Sequence, residues 1–518
     1  MTSISPRQRA ISLLCCNFIY RQAHMHSRII TLIACCAILL YLLGSCKHSP
    51  FPAPASGDGN YPDSIAAIFV SKCATAGCHD AAGYVNAANL RLDTWEHLFE
   101  GSSGGAEVIP YNPKYSALLY FINTDSNRGL MVPPTMPYNL PPLSEQEYYT
   151  IKNWIAAGAP DKNGNIAFAS NPDTRQKIYL TQQGCDLMAV IDGKSGLIMR
   201  IFPIGISPVV EAPHCVHFSK DGKYAYVSFA SGTGTQQIDA GKDTVIASID
   251  QHENGGIANI SPDGLHVMVS TYLSNGQLFE NNFSTMSATG TGASTFNLPH
   301  GIASTPSWDT FYVTSQNGNV VYRYTPGKLP PIVLLPLDTT QPAVAGTPGL
   351  YSDPHEIIMT PDQSKFFVTC QNTNEVRVLD AHTYKVLAVI PVGTRPQEFA
   401  IAPSKHQLFV SCIYDGANPN PGCLGSVYVI DYNTLQLAGG PIYGDFYEPH
   451  GIAVDEQNNN LYVVSSNVGG EGPPPHHVSE CGDRAGWYSI YDLSTLQPRN
   501  HWRYQTGNAP YSADTRFR

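Results

Sequence analysis

Six copies of one sequence motif recur through the C-terminal part of the chain, and this repeat constrains the fold more than any other feature. Each copy is an apolar alternation, a polar turn and a short strand rich in valine and aromatic residues. The copies begin about 41 to 55 residues apart, at Pro213, Asn254, Pro299, Pro354, Pro396 and Pro449. Alternation marks half-buried strands, and the turns mark hairpins. Copies of this length are typical of four-stranded propeller blades.

Six copies do not close a ring by themselves. Residues 178–205 supply three strands without a leading strand, and residues 509–514 read as a leading strand without followers. Joining the two ends makes a seventh blade and protects the sheet edges. We therefore predict an all-β seven-bladed propeller over residues 175–518. Its repeats resemble those of the YVTN family of exported propellers, and residues 388–393, AVIPVG, match that family's closing strand. This resemblance implies fold more than function.

Histidine occupies one equivalent position in four copies, although the repeat does not require it. These residues are His214, His300, His355 and His450, and the other three copies have Gly255, Gln397 and Tyr511. The position begins the innermost strand, so the side chains are expected to meet at one mouth of the channel. Facing imidazoles can bind copper, iron or zinc. The neighbours that can complete such a site are Glu356, Glu398, Glu448 and His217. The alternative is that the Pro-His pair was duplicated with the blade, and that each imidazole only forms a hydrogen bond with a neighbouring loop.

Residues 61–165 have a different pattern, in which a helical stretch leads into Cys73-Ala-Thr-Ala-Gly-Cys78-His79. Two thiols followed by an imidazole suit covalent haem attachment, because each thiol adds to a porphyrin vinyl group and the imidazole ligates the iron. Four residues separate the cysteines instead of the usual two. Zinc is an alternative, but the next cysteine is Cys185, too distant in sequence for a nearby second ligand pair. A Cys73–Cys78 disulfide is the other alternative.

A second iron ligand is expected from the Pro-rich segment 129–137, which contains Met131 and Met136. A thioether ligand raises the reduction potential and suits electron transfer. Ser144 and Glu147 then form a capping-box pattern that starts a helix. The region resembles the small cytochrome c domains fused to bacterial exported proteins, which have a Cys-His site, a Met-Pro pair and a closing helix ending WIxxGA. The resemblance implies a small all-α haem c domain in which Met136 is the second iron ligand. Met131 is the alternative ligand.

The first 45 residues are expected to be an export signal. Residues 29–46 form an apolar run that ends in Leu43-Gly44-Ser45-Cys46, which resembles the lipobox of bacterial lipoproteins. The resemblance implies a lipid on Cys46, which anchors a periplasmic or cell-surface protein to the membrane. Residues 46–60 read as a flexible tether. A membrane-spanning anchor is the alternative, and either Met1 or Met25 can be the start.

The net charge of the chain limits its binding partners, and the positions of its cysteines indicate which disulfides can form. The formal net charge of −11 argues against nucleic acid as a partner. In an exported protein, Cys412 and Cys423 are predicted to form a disulfide across a hairpin, whereas Cys185 is predicted to be a buried thiol.

Three functions are consistent with these features. The favoured one is an electron-transfer lipoprotein, whose propeller recognises a redox partner protein or a small-molecule substrate. The second is an oxidoreductase with a metal or substrate site in the propeller channel, and this site exchanges electrons with the haem. The third is a non-catalytic surface-binding protein.

Overall fold

The structure is a computed structural model that describes residues 57–291, 296–346, 350–420, 422–467, 479–482 and 484–518. The predicted export signal, the lipid site Cys46 and most of the tether lie outside these residues. The chain divides into a unit of residues 1–53 and a unit of residues 54–518, and the second is the one described below. Within the described ranges, no helix has the length and apolar character needed to cross a membrane.

Residues 57–165 are built from short helical segments. The α-helices are α1 (Asp63–Ile68), α2 (Trp95–Leu98), α3 (Ala117–Ile122) and α4 (Glu145–Ala156). A π-helical turn, Phe69–Cys73, continues α1, and 3-10 turns lie at Tyr84–Asn86, Pro113–Tyr115 and Ser126–Arg128. The capping box predicted for α4 is confirmed, since Ser144 accepts from the amide of Glu147 and the Glu147 side chain accepts from the amide of Ser144. Helix α4 packs its buried face into the core of this region.

The strands of the propeller follow in chain order. The first three are β1 (Lys177–Gln182), β2 (Leu187–Asp192) and β3 (Ile198–Pro203). Three blades then contain β4 (Pro213–Phe218), β5 (Tyr224–Phe229), β6 (Gly234–Asp239), β7 (Thr244–Asp250), β8 (Ala258–Ile260), β9 (His266–Ser270), β10 (Leu278–Asn282), β11 (Ser287–Gly290), β12 (Pro299–Ser304), β13 (Phe311–Ser315), β14 (Val320–Tyr324) and β15 (Ile332–Pro336). The remaining strands are β16 (Pro354–Met359), β17 (Lys365–Cys370), β18 (Glu375–Asp380), β19 (Val386–Pro391), β20 (Thr394–Ala402), β21 (Gln407–Tyr414), β22 (Ser426–Asp431), β23 (Gln436–Leu437), β24 (Ile442–Tyr443), β25 (Pro449–Asp455), β26 (Asn460–Ser465), β27 (Ala485–Asp492), β28 (Tyr504–Asn508) and β29 (Pro510–Thr515). A 3-10 turn, Pro403–Lys405, lies between β20 and β21.

These strands form seven antiparallel sheets, which confirms the seven-bladed propeller. Six sheets are consecutive in sequence and begin at β4, β8, β12, β16, β20 and β25. The seventh has the order β29-β1-β2-β3, so the last strand of the chain pairs with the first. Ile178 of β1 lies opposite Thr515 of β29. The leading strands contact one another in succession and line the central channel. The termini of the domain therefore close the ring, as predicted.

The helical region packs against the seventh blade. Ile109 is buried in one hydrophobic cluster with residues of β1, β2 and β3. The side-chain amide of Asn112 donates to the carbonyl of Ile201 at 2.6 Å, and the backbone amide of Gln505 donates to the carbonyl of Gly104 at 2.8 Å. These contacts hold the helical region against β3 of the seventh blade and against β28 of the neighbouring blade.

The predicted Cys412–Cys423 disulfide is wrong, because both thiols are free. Strand register explains the error: Cys412 lies opposite Ser426, whereas Cys423 falls three residues before that partner, in the preceding turn. The disulfide found joins Cys185 to Cys481 across 296 residues of sequence. Cys185 is therefore not the buried thiol that was predicted.

Candidate functional site

An apolar cavity of about 350 Å³ lies in the helical region, and four predicted haem-binding residues line it: Cys73, Cys78, His79 and Met136. Cys73 ends the π-helical turn after α1. The chain then folds back, so the amide of His79 donates to the carbonyl of Cys73 at 3.1 Å. Gly77 has a φ of +84°, a conformation that favours glycine, within this turn. The loop therefore accommodates four residues between the thiols and still brings both to one cavity.

His79 is held with one ring nitrogen engaged. Its Nδ1 lies 3.1 Å from the carbonyl oxygen of Leu90, which leaves Nε2 as the nitrogen able to ligate a metal. A backbone carbonyl on the far nitrogen is the usual support of a metal-binding imidazole. Burial lowers the pKa of His79, and this favours the neutral ring that ligation requires.

The structure separates the two candidate methionines. Met136 lines the cavity, and its backbone amide donates to the carbonyl of Phe121 at 2.8 Å, which ties its segment to helix α3. Met131 is 48% exposed and is not among the residues that line the cavity. Of the two, Met136 is the one placed beside Cys73, Cys78 and His79.

The residues around this cavity fit a haem group. The thiols of Cys73 and Cys78 are free rather than joined to each other, so both are available for attachment. Leucine, isoleucine and phenylalanine side chains make up much of the wall, and such a wall suits the faces of a porphyrin. Zinc fits less well, because the group of three close metal-binding donors found within the described ranges does not include Cys73, Cys78 or His79.

Sequence reasoning missed Glu107, a carboxyl group at the wall of the same cavity. It is buried, and Ser102 Oγ donates to its Oε1 at 2.6 Å. Burial raises its pKa, which favours the neutral acid. Glu107 also lines a small cavity at the junction with the propeller, together with Gln182 and Glu480. Its position results from the packing of two domains, so no local pattern marks it.

The four repeat histidines and Tyr511 form a ring of side chains in the propeller channel. Ring centroids are 4.1 Å apart for His300 and His355, and 5.7 Å apart for both His355–His450 and His214–His300. Tyr511 stacks on His450 at 3.7 Å and on His214 at 4.6 Å. Equivalent positions of separate blades thus converge, and the ring lies at the end of the channel where the leading strands begin.

Two cavities lie along the channel. The one on the mouth side has a volume of about 450 Å³, and the four histidines and Glu448 line it. The one deeper in the channel has a volume of about 270 Å³, and its wall includes Glu356, Glu398 and His217. The accessory residues predicted from the sequence are therefore divided between two compartments.

Contacts at the layer link it to the deeper cavity. One donor atom each from His300, His355 and Glu356 lies within 4.8 Å of the other two. Nδ1 of His450 lies 3.0 Å from Glu398 Oε1, but away from the direction of a hydrogen bond. His217 instead faces Asp514, with Nδ1 3.4 Å from its Oδ2.

Burial favours the uncharged form of three of the four imidazoles in this layer. It lowers the pKa of His300 to about 3, with His450 adding to the effect, and it lowers the pKa values of His214 and His355 well below their usual range. Burial, together with the nearby Glu398, raises the pKa of Glu356 to about 8. At neutral pH these three imidazoles are therefore uncharged, the form that binds metal ions.

Part of the hydrogen-bonding capacity at this layer is not used. Nδ1 of His300 lies 3.1 Å from the carbonyl of His355, which is the loop contact that the Pro-His alternative predicts. Nδ1 of His355 and both ring nitrogens of His450, however, have no hydrogen-bond partner among the residues the structure describes. Leaving one buried polar group unpaired costs about 1–3 kcal/mol.

One family model matches part of the helical region. Residues 76–135 match the family described as Planctomycete cytochrome C. The chain therefore combines a region similar to that cytochrome c family with a seven-bladed β-propeller. No curated protein sequence matches the chain.

Solved structures similar to this chain include a putative 6-phosphogluconolactonase from Bacteroides fragilis, with 12% identity, a TM-score of 0.48 and coverage of 67% of this chain and 99% of that one. The dihydro-heme d1 dehydrogenase NirN has 15% identity, a TM-score of 0.44 and coverage of 80% and 94%. Hydrazine synthase of Kuenenia stuttgartiensis has 16% identity, a TM-score of 0.42 and coverage of 60% and 89%. Similarities of this size say nothing about function.

Proposed function

We propose that the protein is an exported haem c lipoprotein that transfers electrons and uses its propeller as a recognition platform. The observation that carries this proposal is that Cys73, Cys78, His79 and Met136 all line one apolar cavity. The match of residues 76–135, which include Cys78 and His79, to a cytochrome c family also supports it. The lipobox-like Cys46 supports the lipid anchor and the location outside the cytoplasmic membrane.

A bound haem supplies a one-electron iron couple. The protein's part is to hold and orient the group: the two thiols attach it, and His79 and Met136 are the proposed iron ligands. The carbonyl of Leu90 fixes the orientation of the His79 ring. The apolar walls exclude water, which limits reorganisation around the iron.

The rim of the cavity suits a transient redox partner. Tyr138 and Leu140 line the cavity, yet they are 63% and 54% exposed. Exposed apolar side chains beside a cofactor edge let another protein approach closely over a small area, as in weak electron-transfer encounters. This surface is the proposed docking point for a redox partner protein.

Covalent attachment is tested by the variant Cys78→Ala, produced with export and a cytochrome c maturation system. Without the thiol, we expect the haem stain that survives denaturing electrophoresis to be lost or strongly reduced. Cys370→Ala is the matched control, because Cys370 is a buried thiol in the propeller strand β17. An unchanged stain in Cys78→Ala would refute the attachment.

The axial ligand is tested by comparing Met136→Ala with Met131→Ala. Only the first change removes a thioether from the cavity, so only Met136→Ala should lose the methionine-to-iron charge-transfer band and lower the reduction potential. Loss of the band in Met131→Ala instead would transfer the role to Met131.

Membrane attachment is tested by Cys46→Ala. The wild-type protein should fractionate with membranes and incorporate a labelled fatty acid, whereas the variant should do neither. A labelled Cys46→Ala protein would overturn the proposed lipid site.

The second candidate function is an oxidoreductase with a metal or substrate site in the channel. The buried histidine layer beside a cavity of about 450 Å³ favours it. This candidate requires that small molecules reduce or oxidise the haem faster in the wild type than in His355→Gln. Equal rates across a panel of small donors and acceptors would leave the recognition platform as the propeller's role.

A further inference from the structure

The histidine layer has donor atoms that the protein itself leaves without partners. His300, His355 and His450 are each at most 5% exposed. Neither nitrogen of His450 nor Nδ1 of His355 is hydrogen-bonded to any residue that the structure describes. Buried imidazole nitrogens of a folded protein are normally satisfied. Three of them unsatisfied in adjacent rings point to a bound species at this position.

The ring of His300 is held in the way that is usual for a metal-binding histidine. Nδ1 of His300 is engaged by the carbonyl of His355, so its Nε2 is left to ligate. Nδ1 of His450 lies 3.0 Å from Glu398 Oε1 without a hydrogen bond to it, so both nitrogens of His450 remain open. A carbonyl or carboxylate behind one ring nitrogen, with the other nitrogen turned to the ion, is the usual support of a metal ligand.

Glu356 adds an oxygen donor to the same place. Its carboxylate belongs to the group, with His300 and His355, whose donor atoms lie within 4.8 Å of one another. It follows His355 directly in β16, so one strand supplies two of the three donors. Strand β12 of the preceding blade supplies His300, and the site therefore spans two blades.

We propose that the channel binds one divalent transition-metal ion, with His300, His355 and Glu356 as ligands and His450 as the adjoining fourth. Several imidazoles with one carboxylate suit copper, zinc, iron or nickel rather than calcium or magnesium, which prefer oxygen ligands. The cavity of about 450 Å³ on the mouth side gives a small molecule access to the ion. The site is separate from the proposed haem cavity and does not rest on the haem assignment.

His214 is left out of the ligand set, although it belongs to the same ring of side chains. Gln183 Nε2 lies 2.8 Å from its Nδ1. When that amide donates, the imidazole proton sits on Nε2, and neither nitrogen is then available to a metal ion. His214→Gln therefore serves as a variant from within the ring that should retain metal.

The experiment uses the full-length holoprotein, treated with a chelator and then dialysed against Zn²⁺ or Cu²⁺. Metal content is measured by mass spectrometry beside the haem iron. We expect one equivalent of added metal in the wild type and at least a 100-fold weaker affinity in the double variant His300→Gln/His355→Gln. His214→Gln and the surface variant His252→Gln should keep the wild-type affinity. The variant His476→Gln/His477→Gln controls for adventitious metal binding by these two histidines, which are consecutive in sequence.

A second measurement covers the case in which the double variant does not fold. X-ray absorption at the zinc edge of the zinc-loaded His476→Gln/His477→Gln protein should show at least two imidazole ligands. Failure of the wild type to bind either metal at 100 µM, undiminished binding in a folded double variant, or a spectrum without imidazole would each overturn the proposal. The haem stain is scored on the same samples, so failure of the metal site and failure of the haem assignment give different results.

Discussion

The helical region and the propeller bring histidine to a cavity by different means. In the helical region, Cys73, Cys78 and His79 lie within one short turn, and a carbonyl eleven residues further on, that of Leu90, orients the imidazole. In the propeller, the ring from His214 to Tyr511 exists only because blades far apart in sequence meet around one channel. The first arrangement depends on local structure, and the second depends on closure of the whole domain. Changes to each region should therefore have effects of different size and reach.

Removal of the last strand should have the largest effect. Deletion of residues 509–518 takes away β29, the leading strand of the seventh blade, which pairs with β1. The ring then has an open edge, and Tyr511 no longer closes the ring of histidines. We expect loss of the cooperative unfolding transition in calorimetry, with covalent haem retained in the same sample. A normal transition in the truncated protein would show that closure is not what holds the propeller together.

The long-range disulfide should be the next largest contribution. Cys185 and Cys481 are 296 residues apart, and loss of a native disulfide typically costs about 2–5 kcal/mol. Cys185→Ser/Cys481→Ser should lower the free energy of unfolding by this amount, which is observed as a lower urea midpoint. A reductant should lower the midpoint of the wild type and leave the double variant unchanged. Equal sensitivity of both proteins to the reductant would contradict this assignment.

The same contrast between local and long-range structure explains what could be predicted from the sequence. The seven blades were predictable, because each carries its own turn and strand pattern and the missing strand could be counted at the chain ends. The Cys73 to His79 motif was predictable because it is contiguous. Gly255 shows a smaller departure within the repeat: its blade begins later than the pattern suggests, with β8 starting at Ala258.

Features that depend on packing between distant segments could not be predicted. The pairing of Cys185 with Cys481 has no local signature, and the error at Cys412 arose because nearness in sequence does not fix strand register. The burial of Glu107 between the proposed haem cavity and the propeller depends on domain packing. The division of Glu356 and Glu448 between two cavities likewise required the three-dimensional channel.

Local stabilisation of the helical region can be measured at the start of α4. Ser144 is its N-cap, and its Oγ accepts from the amide of Glu147 at 3.3 Å. Ser144→Ala should destabilise this region by about 1 kcal/mol, the usual contribution of such a cap. The control is Thr150→Ala on the same helix, where the hydroxyl only donates to the carbonyl of Gln146. Equal losses in both variants would show that the cap makes no special contribution.

The smallest expected effect is the pH dependence of the contact between α4 and the segment that carries the first thiol. Lys72, which directly precedes Cys73, donates to Glu147 Oε1 at 2.5 Å. The hydrogen bond from Lys72 is the main reason that the pKa of Glu147 is lowered from 4.5, and the amide of Ser144 adds to it. A lowered folded-state pKa means that the contact stabilises the protein above pH 4.5. That stabilisation is lost as the pH falls through the folded-state value.

Solvent reduces this contribution, because the side chains of Lys72 and Glu147 are 45% and 22% exposed, and we expect about 0.2–1 kcal/mol. Urea unfolding of the wild type and of Glu147→Gln, followed by the helical circular dichroism signal, should differ by this amount at pH 7, and the difference should shrink as the pH falls below 4.5. Added salt should narrow the gap at pH 7 in the same direction. A difference that is constant from pH 7 to pH 3 would mean that Glu147 acts through the capping box and not through its charge. The contribution of Glu147 would then come from hydrogen bonding alone.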